Sequence, residues 1–226
     1  MKHLNWRALA CGAAMSLAAA LPATAGVADF EDVTPGGFAM GDNFSSGGYS
    51  FTAQGLFGTV DTAAGYFGGA PTGSTGQFYG AFNDSTLTMA NFTANSLHLR
   101  GFSFAFIAPV IFAGNAGASA GMLVASGLDE MGNMVQQGWD FGLGDAAGNW
   151  AFMNVGVGQL GSMVAAMQSI TFAACLYDGL GGCTYSGQNQ AQFAIDNIEV
   201  PEPATLALVV AALGLIGVSR RKQQSI

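Results

Sequence analysis

Two glycine-rich stretches have the residue spacing of catalytic or nucleotide-binding motifs. Gly117–Gly121 fits G-x-S-x-G, in which a nucleophilic serine needs a strand-turn-helix context and a histidine further along the chain. The only histidine after residue 25 is His98, which precedes the motif, and a strand pattern follows it. Gly142–Ala147 fits G-x-G-x-x-A, but no β-α-β pattern surrounds it. We interpret both stretches as turns and predict a domain without enzymatic activity.

Acidic residues near both ends of the central region could bind a cation. Asp29, Glu31 and Asp32 fall in the predicted first strand, and Asp196 falls in the predicted last strand. The apolar positions of the last strand change face at Asp196-Asn197, which predicts a β-bulge. The arrangement resembles, in outline, the carbohydrate-binding-module jelly rolls that hold a structural Ca²⁺ between their first and last strands. The resemblance implies calcium at Glu31 and Asp196. The alternative is a bulge whose side chains bond only the local backbone.

The cysteines indicate one structural disulfide. Cys11 lies in the N-terminal segment, which leaves Cys175 and Cys183 as the only pair in the central region. In an oxidising compartment we expect these two to close a glycine-rich loop. A metal site or a reactive thiol is the alternative, but neither cysteine has a histidine or a second cysteine pair beside it in the sequence.

The elements that must position these residues are short strands. Eleven alternating or apolar segments occur between turn signals, from 28–33 to 191–200, and helical periodicity is not convincing anywhere in the central region. Two turns are well specified, with Gly132 and Gly148 at positions suited to a left-handed conformation. This pattern predicts an all-β fold: an antiparallel β-sandwich that is jelly-roll-like.

Composition excludes one class of partner. Thirteen of the 14 acids, but only one of the six Lys and Arg residues, Arg100, lie in residues 26–200, so this region has a formal net charge of −12. Nucleic acid is excluded because there is no basic surface to meet phosphates. The abundance of phenylalanine, 17 in the chain, indicates a packed core rather than disorder.

The N-terminal residues 1–25 have the layout of a secretory signal peptide. Lys2 and Arg7 form a basic start, an apolar stretch follows, and Ala23-Thr24-Ala25 gives a small-residue cleavage site. We therefore divide the chain into a signal peptide (1–25), a β-sandwich domain (26–200) and a C-terminal segment (201–226).

The C-terminal segment has three parts. In order, these are Pro201, Glu202 and Pro203, an uncharged apolar stretch at 204–219, and a basic cluster of Arg220, Arg221 and Lys222. The two prolines interrupt regular structure, and we predict that the apolar stretch forms a single transmembrane helix. The basic cluster should remain cytoplasmic, which places the domain outside the membrane.

These residues resemble the PEP-CTERM sorting signal of Gram-negative bacteria. The resemblance implies that an exosortase, a membrane-embedded cysteine transpeptidase-like enzyme, processes an inner-membrane-anchored precursor and passes it to the cell surface or extracellular matrix. It also implies an association with exopolysaccharide and biofilm formation. Just upstream, Gln192, Phe193 and Asp196 match a Q-F-x-x-D signature that a subset of these proteins carries beside the tag.

Our leading hypothesis is an exported, non-enzymatic surface or matrix protein that requires no cofactor, apart from the hypothetical structural calcium. The alternative is a glycan-binding, lectin-like module. Such a module would stack sugar rings on exposed aromatic side chains, for which the candidates are Tyr49, Tyr66, Tyr79, Trp139 and Trp150.

Overall fold

The protein folds as two antiparallel β-sheets packed face to face. The computed structural model describes residues 25–66, 69–91, 96–109, 113–180, 182–184, 187 and 190–201. Residues Gly26–Val200 form one compact unit. The described residues contain no α-helix, only three short 3₁₀ turns at Ala113–Asn115, Val157–Gln159 and Gly161–Val164.

The first sheet, sheet A, contains seven strands. They are β1 (Ala25–Ala28), β2 (Gly36–Phe38), β5 (Phe57–Thr62), β6 (Gln77–Phe82), β8 (Gly101–Phe106), β11 (Met153–Val155) and β14 (Phe193–Pro201). Their spatial order is β11-β8-β14-β6-β5-β2, and β1 also pairs with β14. The last strand of the chain is therefore central, with β8 on one side and β6 on the other.

The second sheet, sheet B, also contains seven strands. They are β3 (Asn43–Ser46), β4 (Tyr49–Gln54), β7 (Thr86–Asn91), β9 (Gly121–Leu128), β10 (Met134–Asp140), β12 (Ser169–Tyr177) and β13 (Cys183–Thr184). Their order is β10-β9-β12-β7-β4-β3, with β13 paired to β12. Every strand pair of known register in the two sheets is antiparallel, so the predicted antiparallel sandwich is confirmed. The jelly-roll connectivity remains a prediction.

The main core lies between the sheets and is built by alternation along the strands. In β12, for example, Ile170 and Phe172 are fully buried, whereas Thr171 between them is only half-buried. Aromatic rings join the sheets, as where Phe102 of sheet A meets Phe172 of sheet B at 5.5 Å. Burial of this apolar surface is the main force that holds the sheets together.

A second, smaller cluster covers the outer face of sheet A. Phe78 of β6 is fully buried there, although its neighbour Tyr79 points into the main core. The ring of Tyr66, from the β5–β6 connection, stacks on Phe78 at 4.5 Å, and Phe152 meets Phe78 edge-on at 5.3 Å. Strands β6 and β8 are consequently apolar on both faces.

The last strand contains the predicted bulge. Its pairing with β8 shifts register between Asp196 and Glu199, and Asn197 has a left-handed φ of 52°. The extra residue lets Ile195 and Ile198 both face the main core, which explains the change of apolar phase in the sequence. The predicted bulge is therefore confirmed.

The two turn predictions are confirmed. Gly132 and Gly148 have left-handed φ values of 81° and 86°.

The predicted position of the first strand is wrong. The strand ends at Ala28 instead of Val33, because Phe30 takes a left-handed φ of 59° and Val33 N donates to Phe30 O at 3.1 Å. The acids that follow Ala28 therefore lie in a turn.

Candidate functional site

The turn after β1 contains three acids whose carboxylates have different partners. Phe30 is fully buried, and its backbone N–H donates to Ser46 Oγ at 3.0 Å. Asp29 Oδ1 accepts from Glu31 N at 3.2 Å, and Asp32 Oδ2 accepts from Gly47 N at 3.1 Å. The buried phenylalanine anchors the turn, Asp29 holds its backbone, and Asp32 joins it to the β3–β4 connection.

Glu31 is fixed by the first residue of β6. Gln77 N donates to Glu31 Oε1 at 2.8 Å, and Gln77 Nε2 donates to the Glu31 carbonyl at 3.3 Å. A Cβ on Gly76 would lie 1.7 Å from Glu31 Oε1, so a side chain at this position would displace the carboxylate. The chain after β1 is thereby joined to β6.

The bulge of β14 buries Asp196 next to this turn. Asp196 is 7% exposed, and it accepts from Asn197 N at 2.7 Å and Asn197 Nδ2 at 3.0 Å. Burial, together with the nearby charges of Asp29 and Glu31, raises the pKa of Asp196 to about 7, although the hydrogen bond from Asn197 N opposes the shift. The structure thus brings the two predicted calcium ligands, Glu31 and Asp196, into one electrostatic neighbourhood.

Gln77 supplies the observation that bears on a cation at this place. The side chain is 9% exposed, and its Oε1 is buried without a hydrogen-bond partner among the described residues. A buried amide oxygen on a residue that is hydrogen-bonded to Glu31 is the kind of ligand that Ca²⁺ takes. Three or more grouped His, Cys, Asp or Glu side chains are not found in the described part of the chain, so amide and backbone oxygens would have to complete any coordination shell.

The C-terminal segment begins where β14 ends. Pro201 is the last residue of this strand, and Glu202, Pro203 and the basic residues Arg220, Arg221 and Lys222 lie outside the described residues. The predicted transmembrane helix at 204–219 and the signal peptide at 1–25 also lie outside them. Among the residues that the structure describes, no helix is both long and apolar enough to cross a bilayer.

The three residues of the Q-F-x-x-D signature, which lie in β14 or just before it, are all buried. Gln192, just before the strand, accepts a backbone bond from Ile107 N at 3.4 Å, and Phe193 belongs to the main core. Asp196 is at the bulge described above. These positions are fixed by packing within sheet A, and membership of the Q-F-x-x-D subset remains a prediction.

The proposed sugar-stacking aromatics are not on the surface. Tyr49, Tyr66, Tyr79 and Trp150 are buried in the two clusters. Trp139 is half-buried, with its Nε1 donating to a backbone carbonyl at 2.8 Å and its ring edge-on to Phe102 at 5.0 Å. The prediction of an aromatic platform was wrong, because large aromatic side chains in alternating strands are the groups that the core buries first.

The two catalytic-looking stretches are turns in the structure. Ser119 forms an isolated bridge to Leu143 and is followed by a strand, β9, where a nucleophile elbow requires a helix. Asp145 closes the second stretch by accepting from Ala147 N at 2.8 Å and Asn149 N at 2.9 Å. These hydrogen bonds lower the pKa of the Asp145 carboxyl.

The predicted disulfide is present. Cys175, at the end of β12, is bonded to Cys183 at the start of β13, with their Cα atoms 5.6 Å apart. The bond joins two strands that are also paired through Tyr177 and Cys183. It therefore reinforces one end of sheet B.

Gln77 and the cover formed by Tyr66 were not found from the sequence. Gln77 is the first residue of β6, and a glutamine at the start of a strand does not indicate any particular function. The apolar outward positions of β6 and β8, Phe78 and Ala105, were the available signal for a covered face.

The comparisons with known proteins concern the tag and the fold. Residues 199–223 match the family model of the PEP-CTERM protein-sorting motif. No curated protein sequence matches the chain. One similar structure is a DUF4465 family protein from Bacteroides caccae, with 13% identity, a TM-score of 0.48, and coverage of 78% of this chain and 98% of that one.

Two other similar structures are of carbohydrate-active proteins. One is TmCBM61 in complex with β-1,4-galactotriose, with 8% identity, a TM-score of 0.32, and coverage of 68% of this chain and 88% of that one. The other is the arabinose-bound α-L-arabinofuranosidase MgGH51, with 11% identity and a TM-score of 0.41 over 80% of this chain and 26% of that one. The match over residues 199–223 therefore identifies a PEP-CTERM sorting motif at the end of this chain, and the motif implies an exported protein that is anchored in the membrane before an exosortase processes it.

Proposed function

We propose that this protein is a non-enzymatic component of the cell surface or extracellular matrix, delivered there by exosortase cleavage of its C-terminal tag. The observation that carries the proposal is the sorting motif at 199–223, which starts within the final strand of the folded domain. The motif and the final strand therefore overlap at residues 199–201. Its 13 acids and single base, Arg100, would keep it soluble outside the cell.

The sorting proposal is tested in a host that has an exosortase and in a matched strain that lacks it. In the first strain we expect the protein to lose its tag, which shortens it on a gel, and to reach the surface or medium. Replacing Pro201, Glu202 and Pro203 together by alanine should leave an uncleaved membrane-bound precursor. Glu130→Ala, in an exposed hairpin turn, is the control and should be sorted normally. Identical processing in both strains would contradict the proposal.

The link to exopolysaccharide and biofilm is part of the same proposal. An acidic matrix protein with few charged residues can be retained by a hydrated polymer without ion pairing. The test is whether the protein sediments with the host's exopolysaccharide, and whether deletion of its gene reduces the mass of biofilm. The glycan-binding alternative needs a surface other than the buried aromatics, and such a surface is considered below.

A structural calcium ion is a second proposal, supported by the buried Oε1 of Gln77, a residue that is hydrogen-bonded to Glu31. Glu31 and Asp196 would supply carboxylate oxygens, and Gln77 would add its amide oxygen. An ion there would join the turn after β1 to β14 and β6. It would also remove the cost of keeping Asp196 ionised in a buried position.

The calcium proposal is tested by thermal unfolding in excess Ca²⁺ and in EDTA. At about 100 times the dissociation constant, binding stabilises a protein by about 2.7 kcal/mol, which corresponds to a shift in Tm of roughly 5–10 °C for a domain of this size. Glu31→Gln and Asp196→Asn should abolish the shift. Glu199→Gln, an exposed acid on the same strand, should retain it. Equal Tm values for the wild type in Ca²⁺ and EDTA would exclude the site.

A further inference from the structure

The outer face of sheet B carries a row of six uncharged hydrogen-bonding side chains, one from each of the six strands β3, β4, β7, β12, β9 and β10. In sequence across the sheet they are Asn43, Thr52, Thr88, Thr171, Ser126 and Gln136. Each is the direct cross-strand partner of the next. We call this set the polar row.

The polar row faces away from the core. Phe51, Leu87 and Phe172, which adjoin row members along their strands, are fully buried, whereas the row members are half-buried or exposed. Neighbouring strands lie about 4.8 Å apart, so six positions span about 24 Å across the sheet.

The side chains that flank the row are mostly short. In the next register, towards the end of β9 and the start of β10, they are Ser50, Ala90, Ser169, Leu128 and Met134, and in the opposite direction Thr86, Ala173, Val124 and Gly138. Of these, Leu128 and Met134 are large and exposed. The row is therefore accessible along much of its length.

The row retains hydrogen-bonding capacity after its internal contacts are made. Thr52 Oγ1 donates to Asn43 Oδ1 at 2.6 Å, and the hydroxyls of Thr88 and Thr171 are 2.9 Å apart. A hydroxyl has one donor and two acceptor positions. In the Thr88–Thr171 pair one proton is used internally, so the second proton and several lone pairs can meet a ligand.

Charge restricts what this face can bind. The seven strands of sheet B contain a single charged residue, Asp140, at the last position of β10 and away from the row, where it accepts from Tyr177 Oη. A polyanion would find no cation here, and a polycation would find almost no anion. The exposed apolar side chains beside the row, Leu128 and Met134, lie together at its β9–β10 end, whereas a protein partner would need an apolar centre on this face.

We propose that the polar row binds a neutral, polyhydroxylated polymer, a chain of uncharged sugars, lying across the strands of sheet B. The inference rests on the proposed function as a matrix protein and specifies where the matrix would be held. The strand spacing is close to the length of one pyranose ring, so roughly one ring would lie over each strand. Because no aromatic ring stacks on the sugars, binding depends on many weak hydrogen bonds along the chain.

The test measures the retention of the purified full-length protein, in detergent, by affinity electrophoresis. The gels contain the host's own exopolysaccharide or one of four neutral probes, hydroxyethyl cellulose, laminarin, β-1,4-galactan and dextran, with alginate and chitosan as charged comparisons. We expect binding to at least one neutral polymer. Thr88→Val with Thr171→Val removes two hydroxyls and keeps the β-branched shape, and it should weaken that binding about tenfold. Thr62→Val, an exposed threonine at the end of β5 in sheet A, is the matched control and should bind normally.

Three outcomes would overturn the proposal. They are binding by the double variant equal to wild type, retention only by alginate or chitosan, and no retention by any neutral polymer including the host's own. Retention by a neutral probe but not by the host polymer supports the site and assigns it to foreign glycans. The double variant should still be cleaved by the exosortase, so failed sugar binding and failed sorting give separate results.

Discussion

The outer faces of the two sheets differ, although both sheets share one core. On sheet A, Tyr66 and Phe152 cover Phe78, and strands β6 and β8 are apolar on both sides. On sheet B, the polar row lies open and the strands alternate between buried apolar and accessible polar residues. Sheet A also contains the buried carboxyl of Asp196, whereas sheet B has one charge at a strand end.

This difference separates two uses of a sheet face. The covered face adds burial, so it contributes mainly to stability. The open face buries little and leaves its hydroxyl groups accessible, so it contributes little to stability and can serve for binding. Substitutions on the two faces should therefore have unequal effects.

The largest expected effect is from Phe78→Ala. The side chain is fully buried between Tyr66 and Phe152, so truncation should lower the free energy of unfolding by about 3–5 kcal/mol. On the open face, Thr171→Val should change it by less than about 0.5 kcal/mol. Urea denaturation of both variants measures this directly. Equal losses of unfolding free energy in the two variants would mean that the two faces do not differ in their contribution to stability.

The next effect is a pH dependence centred on Asp196. Its pKa is raised in the folded protein, from about 4 to about 7, so the folded state favours the protonated form. In metal-free buffer the contribution of this group is most favourable below about pH 4, is lost as the pH rises, and reaches its full cost of about 4 kcal/mol above about pH 7.

Asp196→Asn should remove that pH dependence. The difference in unfolding free energy between variant and wild type, measured in EDTA from pH 4 to 7.5, should shift in favour of the variant as the pH rises. Glu199→Gln, on the same strand but exposed, serves as the control. A constant difference for Asp196→Asn would show that this carboxyl is not desolvated in solution.

The smallest expected effect is from Tyr66→Phe. The hydroxyl lies 3.2 Å from the carbonyls of Thr59 and Phe78, and burial holds its pKa well above the usual range. Loss of this hydrogen bonding should cost about 0.5–1.5 kcal/mol, because the stacked ring remains. A loss as large as that of Phe78→Ala would indicate that the cover is held by the hydroxyl and not by ring packing.

The sequence predicted the sandwich because alternation and turns are local signals. The bulge was predictable from a single change of apolar phase at Asp196-Asn197, and the disulfide from having only two cysteines in the domain. The first strand was misplaced because the left-handed conformation of Phe30 depends on its burial and on Ser46, which is distant in the sequence. Gln77 could not be assigned to the candidate site from the sequence, because its role depends on hydrogen bonds to Glu31, which is also distant in the sequence.

The aromatic residues show the limit of composition arguments. Tyrosine and tryptophan suggested a sugar platform, but the core and the cover of sheet A bury four of the five candidates. The polar row depends on register across six strands, and register is set by turns and packing that no single segment contains. The row can be identified only from the pairing of the strands, because the residue types alone do not show which side chains are neighbours across the sheet.

The position of β14 has a mechanical consequence. The strand is hydrogen-bonded on one side to β8 and on the other to β6, and the segment that tethers the precursor continues directly from its last residue. Because β14 is paired on both sides, it cannot leave sheet A without breaking two ladders, whereas an edge strand would break only one. The folded domain should therefore resist unravelling from its C-terminal strand.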